Sequence, residues 1–80
     1  MNDPASTKPQ LLPGPFVDRI GLLQPNGNEY YTLLDVAGRT IWSGRNIEQQ
    51  DLSHLPEGGY MLQIAVGEVM HVYKTMKVQR

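Results

Sequence analysis

The chain is expected to fold as an all-β domain, a small antiparallel β-sandwich of about six or seven short strands. Three observations predict this. From Phe16 onward apolar residues alternate with polar ones at the strand period of two. Turn signals recur at roughly eight-to-twelve-residue spacing. No window carries a sustained helical stripe, while Gly (8) and Pro (6) are frequent, as a chain with many turns requires.

Taken in order, the segment from Met1 to Gln10 is polar, contains Pro4 and Pro9, and reads as a flexible leader or linker. Pro13-Gly14-Pro15 punctuates the start of the folded part, residues 11–80. Phe16 to Leu23 is a first strand candidate, ended by the turn Gln24-Pro25-Asn26-Gly27. Glu29 to Val36 follows. Asp35-Val36-Ala37-Gly38 matches a type I turn, with Asp first and a Gly that can take positive φ last, so Leu34 and Thr40 should flank a hairpin whose return strand is Thr40 to Ser43. Ile47 to Leu52 is a weaker strand, placed at an edge because of its polar run. His54 to Gly59 is a loop, with Gly58-Gly59 a tight turn. Tyr60 to Val66 sets Tyr60, Leu62, Ile64 and Val66 on one face.

Gly67-Glu68 turns the chain from Tyr60 to Val66 into a last strand, Val69 to Val78, and this last hairpin admits two registers. A two-residue Gly67-Glu68 turn suits type II′ and sets Ile64 opposite His71 and Leu62 opposite Tyr73. A three-residue turn sets Ile64 opposite Val72 and Tyr60 opposite Met76. The second matches apolar faces better and is the one expected here, with Lys74 facing inward on a snorkelling stem or beside a bulge.

Composition narrows the function classes. The 80 residues suffice for one small domain. Seven Lys and Arg against eight Asp and Glu leave a net charge of −1, which argues against general nucleic-acid binding. There is no Cys, hence no disulfide framework, thiolate nucleophile or thiolate zinc site. No apolar run has the length of a spanning helix, and no signal peptide is recognisable.

Candidate chemistry is sparse. Ser53 and His54 are adjacent and lack an orienting acid, so they read as a solvated loop rather than a catalytic pair. His54 and His71 alone do not make a metal site. Tyr30, Tyr31 and Trp42 could stack on a sugar or base, but packing within the sheet accounts for them more simply. No enzyme activity and no cofactor are expected. The final strand is locally basic, with Lys74, Lys77 and Arg80. These charges either blunt an exposed edge or mark a strand that a partner reads by edge pairing.

Four segments, in order, resemble one known family. Tyr31 to Arg39, with Asp35, Gly38 and Arg39, looks like the hydrophobic-Asp-x-x-Gly-Arg hairpin of type IX secretion C-terminal sorting domains, type A. Asp51-Leu52-Ser53-His54-Leu55-Pro56-Glu57-Gly58-Gly59-Tyr60 is similar to that family's Asp-Leu-Ser-x-Leu-x-x-Gly-x-Tyr segment, matched at Leu52, Leu55, Gly58 and Tyr60. Lys74-Thr75-Met76-Lys77-Val78 resembles its closing Lys-x-x-Lys strand. Leu12 to Ile20, with Pro13, Pro15 and Phe16, looks like its opening Pro-Asn-Pro-Phe motif, with Gly14 in place of Asn.

The resemblance covers residues 11–80 and implies an Ig-like sandwich at the C-terminus of secreted cargo in Bacteroidetes-type bacteria. It implies transit through the periplasm to the outer membrane, cell surface or medium. The implied partners are the type IX outer-membrane translocon and its shuttle components, a sortase-like cysteine peptidase, and the N-terminal cargo. The peptidase cut is expected between Met1 and Gln10. Recognition is expected at the last hairpin, through Lys74, Lys77, Val78 and Arg80, while Gly38, Gly58 and Tyr60 serve the fold. The lack of a signal peptide leads us to expect a piece of a longer chain. An Ig-like binding or adhesion module is the alternative function, and exposed edges offer a route to a homodimer.

Overall fold

In the computed structural model, which describes residues 10–11, 14–23 and 28–79, the domain is all-β. Strands β1 (Gln10–Leu11) and β2 (Leu22–Leu23) form a two-stranded antiparallel ladder. Strands β3 (Tyr30–Asp35), β4 (Thr40–Gly44), β5 (Gly58–Val66) and β6 (Val69–Lys77) form a four-stranded antiparallel sheet in the order β4-β3-β5-β6.

The β3–β4 hairpin follows the expected turn. Gly38 N–H donates to the Asp35 carbonyl at 3.0 Å, and Asp35 N–H to the Arg39 carbonyl at 3.0 Å. Gly38 sits at φ +86, where a side chain is strained. Leu34 pairs with Thr40 and Leu33 with Trp42, so Ile41 is a bulge that adds local twist.

The core lies on one face of the sheet. The central strands β3 and β5 contribute Tyr31, Leu33, Tyr60, Leu62 and Ile64, with Leu33 opposite Leu62 and Tyr31 opposite Ile64. The connecting segments supply the rest of it: Phe16, Ile20, Ile47, Leu52 and Leu55. Each fully buried Leu or Ile contributes roughly 1.5–3 kcal/mol relative to exposure.

Several expectations are corrected. Phe16 to Leu23 is not one strand. Phe16 makes an isolated parallel bridge to Lys77, residues 17–19 bend, and only Leu22–Leu23 is strand. The bend brings Phe16 and Ile20 both into the core, and the Asp18 carbonyl accepts from Leu52 N–H at 2.7 Å. Ile47 to Leu52 is not a strand either. Asn46 adopts the left-handed conformation (φ 60) that Asn tolerates, and Ile47–Gln49 form a 3-10 turn that carries the chain from β4 to β5. Gly58 and Gly59 are not a turn but the first residues of β5, opposite Lys77 and Met76.

The last hairpin takes the two-residue register. Val66 pairs with Val69, Ile64 with His71 and Leu62 with Tyr73. Gly67 has φ +60 while Glu68 keeps negative φ, the pattern of a type II′ turn, whose twist suits two regular strands. This reverses the expected faces of β6. His71, Tyr73, Thr75 and Lys77 point inward, and Met70, Val72, Lys74 and Met76 point outward.

Gln10 pairs with Leu23, so the expected leader overlaps a strand at its last residue. The remainder of that segment, Pro13, the turn Gln24 to Gly27 and Arg80 lie outside the described residues.

Candidate functional site

The β5–β6 hairpin and the segments that cover it bring together three of the four sequence motifs. Phe16 N–H donates to the Met76 carbonyl at 2.9 Å, and Val78 N–H to the Phe16 carbonyl at 3.0 Å. The Phe16 ring meets the Tyr60 ring edge-on, with centroids 6.3 Å apart and planes at 61°. Tyr60 Oη donates to the Pro56 carbonyl at 2.7 Å. A buried Tyr at the start of a strand, tied back to backbone a few residues upstream, is the geometry of a tyrosine corner. Leu55 N–H donates to the Leu52 carbonyl at 3.1 Å, turning both leucines into the core. Glu57 Oε2 accepts from Gln79 N–H at 2.7 Å and anchors the end of the chain.

The basic residues do not form one patch. Lys77 is only 2% exposed. Its aliphatic stem lies on the inner face, and Nζ donates to the Val78 carbonyl at 3.4 Å. Lys77 is therefore a packing residue, contrary to the expectation of a surface charge. Lys74 is exposed and outward, opposite Met61, not inward opposite Leu62. Val78 is half-buried beside the Phe16 segment, and Pro15 is exposed.

Around Lys74 the outward face is apolar. Met70, Val72 and Met76 are 54%, 53% and 54% exposed, Tyr30 is 48% exposed, and Val36 stands fully at the surface. A shallow groove of about 380 Å³ runs between Val36, Met61, Lys74 and Met76. Lys74 is the one charged side chain on the outward face of the four strands. Sequence reasoning missed this surface because it chose the other register. Its signal is the alternation Met70-x-Val72-x-Lys74-x-Met76.

The Asp35–Arg39 turn is a second polar cluster. Asp35 Oδ1 accepts from Ala37 N–H at 3.0 Å and Arg39 N–H at 2.9 Å, and Oδ2 takes Arg39 Nε–H at 3.2 Å. The Arg39 backbone bond above all, then the Ala37 bond and the guanidinium charge, hold the Asp35 carboxyl below the usual range. Asp51 is lowered chiefly by Ser53 N–H, which donates to Oδ1 at 3.0 Å. Ser53 and His54 lie exposed on this turn.

Tyr31 Oη lies 3.3 Å from Glu29 Oε1 in the interior. Burial first, then the Glu29 and Glu48 charges, push its hydroxyl well above the usual tyrosine range. The candidate aromatics do not assemble into one platform. Tyr31 is buried, Trp42 is half-buried on the inner face, and Tyr30 faces outward. Among the described residues no group of three or more His, Asp or Glu is placed to hold a metal ion.

Compared with known proteins, the chain matches no family model, and no curated protein matches it.

Proposed function

We propose that this domain is a C-terminal secretion signal of the type IX pathway. It directs attached cargo across the outer membrane through the translocon and its shuttle components. A sortase-like cysteine peptidase then removes it, and the cargo remains at the cell surface or is released. The reading rests on the resemblance of four ordered segments. The observation that carries it is the spatial convergence of three of them, with the Phe16 motif bonded to the Lys74–Val78 motif and in edge-on ring contact with Tyr60 of the Asp51–Tyr60 motif. The Ig-like sandwich belongs to the same proposal, and the tyrosine-corner geometry of Tyr60 supports it. A signal read on unrelated cargo needs a folded surface and no chemistry of its own. Lys74 on the apolar outward face is the best-placed recognition residue.

The test is export. The full chain is fused behind a signal peptide and a fluorescent reporter, in a bacterium with type IX machinery and in its translocon-deficient counterpart. Reporter at the surface or in the medium only with a working translocon is the expected result. Truncating residues 74–80 would also remove buried Lys77 and the backbone partners of Phe16, so the informative variant is Lys74→Ala, which should reduce export while leaving the fold intact. Reporter retained in the periplasm of both strains, with the domain folded, would overturn the reading in favour of a binding or adhesion module.

A further inference from the structure

We propose that the chain forms a symmetric homodimer by antiparallel pairing of two β6 edges about Val72. The inference is independent of the secretion reading and rests on the backbone of β6. The bonds of Phe16 to the Met76 carbonyl and the Val78 N–H show which groups of this strand point away from β5. By the alternation of an antiparallel ladder, the N–H and C=O groups of Met70, Val72 and Lys74 point the same way. Among the described residues Phe16 is the only backbone partner of that edge.

Within the strand itself the usual sequence protections of an edge are missing. Val69-Met70-His71-Val72-Tyr73 contains no Asp, Glu, Lys, Arg or Pro and no bulge. The opposite edge, β4, is broken by the Ile41 bulge and by Gly44 at φ +147.

The edge is also self-complementary. A two-fold axis at Val72 sets Val72 against Val72, and Met70 against Lys74 of the second copy. Each of these facing pairs can exchange both ladder bonds. The single charge on the outward face thus meets a methionine rather than another lysine. The exposed Met70 and Val72 side chains of both copies join into one apolar strip, which the adaptable Met side chains can pack. Phe16 limits the pairing, since it already occupies the Met76 carbonyl. A net charge of −1 offers little repulsion between copies.

The test is sedimentation velocity of the full 80-residue chain from micromolar to millimolar concentration. A reversible monomer–dimer equilibrium is expected. Val72→Lys sets like charges face to face and should weaken the dimer by at least about fivefold. Met70→Glu sets a carboxylate opposite Lys74 of the second copy, twice by symmetry, and should tighten it a few-fold. Ser43→Lys on the β4 edge should change nothing. All three sites are exposed, and circular dichroism checks that each variant stays folded. A chain that stays monomeric throughout, a dimer indifferent to Val72→Lys and Met70→Glu, or one broken by Ser43→Lys would overturn the proposal.

Discussion

The β3–β4 hairpin turns through Val36, Ala37 and Gly38, and the Asp35 carboxylate ties the turn together from one side. The β5–β6 hairpin turns through Gly67 and Glu68, and among the described residues no side-chain hydrogen bond reaches that turn. The first is short, bulged and locally braced. The second pairs nine residues on each strand without interruption, from Gly58–Lys77 to Val66–Val69. A braced turn specifies its own register. A long unbraced hairpin takes its register from its glycine and from what packs on its faces. Among the described residues the same regularity leaves β6 with an edge that only Phe16 pairs, and with an apolar outward face, whereas the bulge in β4 blunts the other edge.

The largest test of this contrast is at the centre, where the hairpins share a core. Leu33→Ala in the first and Leu62→Ala in the second should each cost about 2–5 kcal/mol by chemical denaturation. The two residues face each other, so the double variant should depart from additivity, and strict additivity would mean that the two side chains are not energetically coupled across the shared core. Next come the turn glycines. Both Gly38 and Gly67 have open space where a methyl group would sit, so Gly38→Ala and Gly67→Ala probe backbone strain alone, about 1–3 kcal/mol each. Gly67→Ala should also disturb the β5–β6 register, seen as changed cross-strand contacts by NMR, while Gly38→Ala leaves the Asp35-braced register in place. Tyr60→Phe, which deletes the bond to the Pro56 carbonyl but keeps the ring, should lower stability by about 0.5–1.5 kcal/mol.

The smallest effect expected is acid sensitivity. The folded-state carboxyl of Asp35 is lowered, so its stabilisation is full above the usual carboxyl pKa of about 3.9 and is lost as pH falls through the lower folded value. Amide exchange in β4 should therefore rise before that in β6 on acidification. Asp35→Asn should remove this dependence and leave β4 more exchangeable at neutral pH. Equal acid response of the two hairpins would contradict the contrast drawn here.

The braced hairpin was legible in the sequence because its chemistry is local. Asp35, Gly38 and Arg39 lie within five positions, and each acts on the others through bonds that span the turn alone. The alternation of Tyr60, Leu62 and Ile64 was legible for the same reason, since one strand face is enough to define it. The register of β6 was not. Both registers keep that alternation and differ only in which half of β6 turns inward. Matching apolar residues favoured Val72 and Met76 inside. The fold instead buries Tyr73 and the stem of Lys77, because the type II′ turn at Gly67 aligns those residues with Leu62 and Gly58 and because Phe16 closes over the strand end. The segment from Ile47 to Leu52 failed differently. Its buried residues, Ile47 and Leu52, are anchors of a crossover, and a crossover has no period of its own.

By itself, the sequence determined the fold class, the strands of the main sheet to within a few residues, the first hairpin's turn and the core positions of the central strands. These follow from side-chain periodicity and turn chemistry, which act over a few residues. The tertiary structure decided the register of the last hairpin, the burial of Lys77, the outward methionine face and the bond of Phe16 to β6. Each of these depends on segments far apart in the chain competing for one sheet face, and the outcome is set by which packing excludes water best.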